Sequence, residues 1–354
     1  MGLTHVIWVT RNSEVCNQLQ KMGYECFMMD SKESYHYHKI AGIHIICNSS
    51  ELNTGDILSQ FSVGALKVNL WHGLGGIKGV EFSSKQYKLA KAQKPLKFKL
   101  KEFLNRNSLY RKWVVRYGGW GDCLYMSTTP FQTEILEKYF YRDKTHFIEA
   151  GYPRNLPCLK LTDEENIIVT HLKEKNNVIL YLPTFREKNE NYQHPMENQL
   201  LKKMIQQGNF YWIEKKHNFC GLSSNQTEHN ILRLNSAFDI CTILPYVDLV
   251  ITDYSSVSWD ALYYNIPVFF YVPDIEKYEN ADRGFVLPKE DFLIGQVAYT
   301  SNELLNLLDT YQNNYRASIN CDYEKIKKKM WGDNMDYEGI WKSICLRMKK
   351  NKSY

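Results

Sequence analysis

The sequence predicts an α/β fold built on parallel sheets, and three features of the chain support that class. Short apolar runs alternate with helix-like segments along most of the chain, which is typical of strands joined by helical crossovers. Several of these runs end directly in Gly, Ser, His or Lys residues, as strands do at the ligand-binding edge of open α/β sheets. At 354 residues the chain also exceeds a usual single core, so two domains of about 150–200 residues are expected.

The first half of the chain contains the elements of one such domain. Strands are predicted at 5–10, 42–47 and 65–70, a helix near 13–22, and a strand, a cap and an amphipathic helix over 123–140. Prolines at 153 and 157 then interrupt the pattern, and a polar run at 162–166 begins a new helix. We therefore expect the boundary between the domains to lie within 152–175.

The second half repeats the alternation of strands and helices from Val178 to about Val297. Two later segments, 301–314 and 322–332, are helix-like. The predicted organisation is a first domain over 1–155, a second domain over 156–320, and a C-terminal segment over 321–354. The helix in that last segment is a candidate to cross back to the first domain.

The stretch at 251–272 is the most informative part of the sequence. A buried strand ends at Thr252, Ser255 and Ser256 follow at the predicted start of a short helix, and Asn265 and Pro267 close that helix. Free backbone N–H groups and serine hydroxyls at a helix start form an anion site, which a phosphate commonly occupies. Ordinary N-capping by serine is the alternative interpretation.

Three other predicted strands end in the same manner. The run at 67–70 leads into Trp71-His72-Gly73 and a Gly/Lys-rich turn, the run at 176–182 leads into Pro183-Thr184-Phe185-Arg186, and the run at 210–214 leads into Lys215-Lys216-His217-Asn218. Because ligands bind at the carboxyl ends of parallel strands, these loops are the candidate functional region.

Composition excludes several classes of protein. The nine cysteines are scattered, odd in number and never in C-x-x-C spacing, which argues against a disulfide framework or a zinc cluster and fits a reducing cytosol. We find no signal-peptide pattern at the start of the sequence and no apolar run near the ~18 residues of a membrane span. No D-x-D pair or His/Asp cluster indicates a catalytic metal.

Positive charge is concentrated in the segment 85–116. It holds eleven Lys or Arg and one Glu, a net +10, so the rest of the chain sums to −5. Aromatic and aliphatic residues are interleaved with the charges, a pattern that suits an anionic membrane surface. A polyanionic acceptor and a solvated helix face remain open alternatives, whereas no motif for nucleic-acid recognition accompanies the charges. The representative cations of this segment are Lys88, Lys91, Lys94 and Lys97.

The order of the motifs resembles that of the CDP-glycerol glycerophosphotransferase family, the teichoic-acid and capsule polyol-phosphate transferases. The matching motifs are WHG with its Gly/Lys-rich turn, GYPRN (151–155), LPTFRE, the K-K-H-N strand end, ITDYSSVSWD and ADRGF (281–285). They extend from about residue 65 to 290. The chain departs from the family pattern at Leu156, Phe185 and Asn218, where the family commonly has Asp, Trp and Pro.

The resemblance implies two doubly wound, Rossmann-like domains facing across a cleft, which is a GT-B-like fold. It also implies attack by an acceptor hydroxyl on the β-phosphorus of a CDP-polyol, with release of CMP. His72 would be the catalytic base, since imidazole titrates near neutral pH, and His217 would lie against the pyrophosphate. The residues that would hold the donor phosphates and nucleotide are Ser255, Ser256, Arg283, Thr184, Asp253 and Asp260. Asp253 could instead orient its turn, and Asp260 could face solvent. Arg154 could either brace the hinge or contact the ligand.

The sequence therefore predicts a cytoplasmic transferase that lies peripherally on the inner face of the cell membrane. Its substrates would be CDP-glycerol or CDP-ribitol and a polyol-phosphate or polysaccharide acceptor, expected to be lipid-linked, with no cofactor, metal or nucleic acid. One alternative is a GT-B glycosyltransferase that uses a nucleotide sugar. Another is a non-catalytic homologue that binds polyanions or membranes.

Overall fold

The chain is described by a computed structural model in which parallel β-sheets are covered by helices. The described residues are 5–47, 65–71, 73–79, 96, 100, 123–140, 143–155, 161–184, 192–215, 224–235, 238–281, 283–313, 323–333 and 337–351. The basic segment 85–116, and with it Lys88, Lys91, Lys94 and Lys97, lies outside these residues apart from Leu96 and Leu100.

The first half of the chain forms two groups of parallel strands. The elements are β1 (Trp8–Thr10), α1 (Ser13–Lys21), β2 (Cys26–Met28), α2 (Lys32–Ile40), β3 (Ile43–Ile46), β4 (Leu66–Asn69), β5 (Cys123–Ser127), α3 (Pro130–Phe140) and β6 (Phe147–Glu149). Strand β1 pairs with β2, while β3, β4, β5 and β6 form a four-stranded parallel sheet in that order. The strands predicted at 42–47 and 65–70 are confirmed, each slightly shorter than expected.

The second half forms a seven-stranded sheet. Its elements are α4 (Asp163–Leu172), β7 (Val178–Leu182), α5 (Gln199–Gln206), β8 (Tyr211–Lys215), β9 (Gln226–Glu228), β10 (Ile231–Leu234), β11 (Leu249–Thr252), α6 (Val257–Tyr263), β12 (Val268–Tyr271), α7 (Ile275–Ala281), α8 (Lys289–Phe292), β13 (Gln296–Ala298) and α9 (Ser301–Asn313). The strand order is β13-β12-β11-β7-β8-β10-β9, parallel except for β9 at one edge. The antiparallel edge strand was not predicted.

Alternate residues of the central strands pack into two different cores. Leu180 and Val250 belong to the core on one face of the large sheet, and Ile179 and Ile251 belong to the core on the other. All four side chains are fully buried. Because both faces are covered by helices, strands β7 and β11 consist almost entirely of apolar residues.

Several helices begin where the sequence predicts them, at residues whose side chains cap the helix. Asn12 caps α1 by accepting hydrogen bonds from the N–H groups of Glu14 and Val15. Thr162 and Glu165 form a reciprocal capping box at the start of α4, which satisfies two backbone donors at once. The polar run that follows the prolines is thus the start of the first helix of the second half.

After α9 the described residues form two further helices, α10 (Tyr323–Trp331) and α11 (Tyr337–Asn351). The carbonyl of Lys329 in α10 accepts a hydrogen bond from Thr129 of the first half at 2.9 Å. Trp331, at the end of α10, donates through Nε1 to the carbonyl of Trp259 in α6 at 2.8 Å. Helix α10 therefore contacts both halves. Among the helices of the described part, none has both the length and the apolar character needed to cross a membrane.

Candidate active site

The strand order of the large sheet reverses at β7. Strands β8 and β10 lie on one side of β7, and β11, β12 and β13 lie on the other. In open α/β sheets the crevice at such a switch point, outside the carboxyl ends of the strands, is the place where ligands bind. The loops after β7 and β11, which carry Thr184 and Ser255, leave the sheet at this point.

Asp253 holds these two loops together. Its carboxylate accepts hydrogen bonds from the backbone N–H of Thr184 at 2.9 and 3.0 Å. The Asp253 side chain is 1% exposed. Its position favours the orienting role in the turn over a direct contact with a ligand.

Ser255 and Ser256 directly precede α6, as predicted. Ser256 occupies the N-cap position but makes no capping hydrogen bond with its side chain. The Ser255 hydroxyl accepts from the N–H of Val257 at 3.4 Å, which is at the long end of hydrogen-bond distances. Both residues are half-buried, and the only capping bond that the structure describes here is the long one to Ser255.

The loop after β4 of the first half meets the serine loop. Gly73 has a φ of +142°, and a Cβ placed on it would lie 2.6 Å from Ser256 Oγ and 3.0 Å from Arg154 Nη1. The Gly73 N–H donates to the hydroxyl of Tyr152 at 3.0 Å. The two loops that the sequence singled out independently are thus in direct contact, although they belong to different sheets. His72 itself lies outside the described residues.

The residue before this position also has unusual backbone geometry. Trp71 has a φ of +57°, which is rare for a bulky residue and marks local strain. Its N–H donates to Asn69 Oδ1 at 2.8 Å, and its ring packs edge-on against Phe140 at 4.9 Å. These contacts hold the start of the loop in its strained conformation.

A polar side chain is buried below the same loop. Gln132 of α3 is fully buried, and within the described part of the chain neither atom of its amide has a hydrogen-bond partner. Gln132, Asn69, Trp71, Gly73 and Tyr152 line one small cavity. Apolar residues complete the lining, so the loop after β4 rests on a small cavity of mixed polarity.

Asp260 lies inside α6 with its carboxylate turned towards the end of the first half. It accepts from Asn155 Nδ2 at 3.1 Å, and Arg154 Nε lies 3.8 Å from its other oxygen. Burial raises the pKa of Asp260, while the neighbouring Arg154 opposes that rise. The alternative that Asp260 faces solvent is wrong, since the side chain is 1% exposed. Its contacts fit a brace between α6 and the GYPRN turn.

Arg154 is fixed by the same set of contacts. Its Nε also donates to Cys241 Sγ at 3.0 Å, and Asp260 raises the pKa of the guanidinium. Its Nη1 atom extends towards Gly73. Arg154 thus lies between the buried carboxylate and the meeting point of the two loops.

Arg283 lies in the loop after α7. Its side chain is exposed, and Gly284, which follows it, has a φ of +68°. Phe285 packs against Tyr254 and Tyr278 at ring distances of 5.2 and 5.6 Å. Because Tyr254 belongs to the serine loop, this aromatic cluster links the position of Arg283 to that of the two serines.

Sequence reasoning missed Lys78, which lies in the turn after β4. Its Nζ donates to Thr184 Oγ1 at 3.4 Å. The Gly/Lys-rich character of that turn was visible in the sequence, but nothing local indicated which loop Lys78 contacts. His217 and Arg186 lie outside the described residues, whereas Lys215, which ends β8, donates to the Phe238 carbonyl at 2.6 Å.

Comparison with known proteins identifies the family to which the sequence is similar. A sequence model described as CDP-glycerol:poly(glycerophosphate) glycerophosphotransferase matches residues 2–334. The teichoic acid poly(glycerol phosphate) polymerase of Staphylococcus epidermidis RP62A is 30% identical over 56% of this chain and 30% of that protein. The teichoic acid glycerol-phosphate primase of Bacillus subtilis strain 168 is 23% identical over 80% of this chain and 71% of that protein.

Solved structures give the same relationship at the level of the fold. The wall teichoic acid polymerase TagF superimposes with a TM-score of 0.66 and 21% identity, over 98% of this chain and 82% of that one. A variant of TagF has also been solved after a soak with CDPG. The fold of the present chain is GT-B-like.

The chain spans half or less of the length of the first curated relatives it matches, from 28% to 50%. The family match is much broader, since it covers nearly the whole of the present sequence. This protein belongs to the CDP-glycerol:poly(glycerophosphate) glycerophosphotransferase family.

Proposed function

We propose that this protein transfers glycerol phosphate, or a related polyol phosphate, from a CDP-polyol to an acceptor hydroxyl and releases CMP. The observation that carries the proposal is the contact between Gly73, beside His72, and Ser256 at the switch point of the large sheet. Gly73 directly follows the base candidate in the sequence, and Ser256 is a candidate phosphate ligand, so their contact supports a site shared by the two halves. This is the arrangement that a transfer between a donor and an acceptor requires.

In the proposed step, the acceptor oxygen forms a bond to the β-phosphorus of the donor. The bond from that phosphorus to the bridging oxygen breaks, and CMP leaves with the electron pair. His72 takes the proton of the acceptor hydroxyl as general base. Cations and N–H donors would stabilise the charge on the phosphate oxygens.

The donor is assigned to the loops of the large sheet. Ser255 and Ser256 would donate their hydroxyls to the diphosphate, and Arg283 and His217 would supply cationic or polar contacts from neighbouring loops. Thr184 would approach the nucleotide at the end of β7. Asp253 and Asp260 would act by holding the loops, because their carboxylates are already engaged by protein groups.

The acceptor is assigned to the first half. The segment that contains Lys88, Lys91, Lys94 and Lys97 would hold a polyanionic, lipid-linked acceptor at an anionic membrane surface, where each cation contributes about 1 kcal/mol. The proposed reaction uses the CDP-polyol as its substrate and needs no separate cofactor. Whether the polyol is glycerol or ribitol is decided by experiment.

The proposed activity is tested by incubating the protein with CDP-glycerol or CDP-ribitol and a polyol-phosphate acceptor. We expect acceptor-dependent release of CMP, with one of the two donors preferred. Thermal unfolding in the presence of CDP or UDP is the companion measurement, and CDP should protect the protein better.

Better protection by UDP, with turnover of a UDP-sugar, would indicate that the protein is a glycosyltransferase. The absence of CMP release from both donors, in a protein that still binds anionic polymers, would favour the non-catalytic alternative. Both outcomes contradict the proposal.

A further inference from the structure

The two halves of the chain are joined by a short antiparallel β-bridge beside the candidate site. Lys78 of the first half lies opposite Phe285 of the second. The N–H of Gly79 donates to the Gly284 carbonyl at 2.9 Å, and the N–H of Val286 donates to the Ile77 carbonyl at 2.8 Å. These backbone bonds fix the position of Lys78 without using its side chain.

The Lys78 side chain reaches from this bridge to the carboxyl edge of the large sheet. Its ammonium lies 3.4 Å from Thr184 Oγ1. The Thr184 N–H is in turn held by the carboxylate of Asp253, and Ser255 follows Asp253 two residues later. A cation that belongs to the first half is thereby brought to the loops that are assigned to the donor.

The same bridge sets the position of a second cation. Arg283 directly precedes Gly284, whose carbonyl accepts the bond from Gly79. One cation, Lys78, therefore lies in the first strand of the bridge, and the other, Arg283, directly precedes the second strand. A diphosphate, with its charges spread over several oxygens, is the type of group that two such cations can hold together.

The contact of Lys78 with Thr184 is weak compared with the contact that a phosphate would offer. A distance of 3.4 Å to a neutral hydroxyl lies at the long end of hydrogen bonds. Charge-assisted bonds are shorter and roughly twice as strong as neutral ones. A phosphate oxygen at this place would therefore offer the ammonium a stronger bond than the Thr184 hydroxyl does.

We propose that Lys78 binds the diphosphate of the CDP-polyol, so that the donor site is completed by a residue of the first half. This inference rests on the proposed function and deepens it. Donor binding would then require both halves, with Lys78 in one strand of the bridge and Arg283 directly before the other.

Titration calorimetry with CDP and with cytidine tests the proposal. Lys78→Met should bind CDP at least tenfold more weakly than the wild type, while the affinity for cytidine, which has no diphosphate, stays unchanged. Lys78→Arg, which keeps the charge, should recover most of the affinity for CDP. The matched control is Lys138→Met, which removes an exposed lysine of the same half from α3 and should leave CDP binding intact.

Equal affinities of Lys78→Met and the wild type for CDP would overturn the inference. A parallel loss of affinity for cytidine would also overturn it, because a disturbed loop rather than a missing diphosphate contact would then be the cause. If Lys78→Met does not fold, Lys78→Gln, which keeps a polar side chain without the charge, undergoes the same comparison. A wild-type protein that binds no CDP would contradict the proposed function itself, which is a different result from the failure of Lys78 alone.

Discussion

At the scale of single residues, the two serines before α6 differ in what they do locally. Ser255 accepts a long bond from the N–H of Val257, whereas the Ser256 side chain makes no capping bond. Gly73 approaches Ser256 so closely that a methyl group on it would collide with the hydroxyl. The Ser256 hydroxyl therefore lies against the loop of the other half and does not cap its own helix.

We predict that the double variant Ser255→Ala, Ser256→Ala binds CDP at least about tenfold more weakly. Hydrogen bonds to a charged group contribute about 1.5–3 kcal/mol each, and tenfold in affinity corresponds to about 1.4 kcal/mol. The fold should survive, because a lost cap typically costs about 1 kcal/mol. Titration calorimetry with CDP is the measurement.

Ser31→Ala is the control for this prediction, since Ser31 caps α2 in the first half through its hydroxyl. It should lose stability without losing affinity for CDP. Unchanged affinity in the double serine variant would mean that Ser255 and Ser256 serve the helix only.

At the scale of elements, α10 is the helix that supports α6. The Trp331 ring lies 4.9 Å from that of Tyr263, and its indole N–H bonds to the Trp259 carbonyl. Helix α10 also contacts the first half through Thr129. The Thr129 hydroxyl donates a hydrogen bond to the Lys329 carbonyl of α10 and accepts one from the N–H of Gln132, at the start of α3. A helix from the end of the chain thus fixes the helix that begins at the serines.

We predict that Trp331→Phe lowers the free energy of unfolding by about 1–2 kcal/mol. The variant loses one buried hydrogen bond and part of a ring that is 3% exposed, and both losses destabilise a packed core. Urea unfolding followed by circular dichroism gives the value. Trp341→Phe on α11, which changes a half-buried ring, should cost less, and an equal cost for both variants would contradict the supporting role of α10.

At the scale of the whole molecule, charge and backbone bonds both hold the halves together. The Arg154 and Asp260 side chains form an ion pair between the GYPRN turn and α6. Asn155 adds a bond to the same carboxylate, and Tyr264 of the second half donates to the Asn155 carbonyl at 3.2 Å. The first half therefore ends in a turn that is bonded directly to the helix of the serine loop.

We predict that Arg154→Met destabilises the protein by about 3 kcal/mol at neutral pH, since it leaves a buried carboxylate without its cation. Burial already raises the pKa of Asp260, and removal of Arg154 takes away the charge that opposes this rise. A carboxyl whose pKa is higher in the folded than in the unfolded state makes stability fall as pH rises. The destabilisation should therefore be smaller at pH 5 than at pH 8, as measured by urea unfolding at both values.

The double variant Arg154→Met, Asp260→Leu should recover most of the stability, because it removes the isolated charge together with its partner. A single variant whose loss is the same at both pH values would show that the packing of the Arg154 side chain, and not its charge, is what stabilises this contact.

The structural features that could be predicted from the sequence are those that depend on a local pattern of residues. The strand before Asp253, the helix after Ser256 and the polar start of α4 follow from apolar runs, turn residues and caps that lie within a few positions of one another. The place of Asp260 could not be predicted, because its partner Asn155 is 105 residues away. Lys78 was missed for the same reason, since its partner Thr184 lies 106 residues further along the chain.

The β-bridge between 77–79 and 284–286 also makes a separation of the two halves measurable by hydrogen exchange. Its two amide protons, on Gly79 and Val286, are donated in opposite directions between the halves. Neither bond can persist if the halves move apart, so separation of the halves would expose both amides to exchange with deuterium. A donor that binds both halves at once would slow the exchange at these two positions together, even before any turnover takes place.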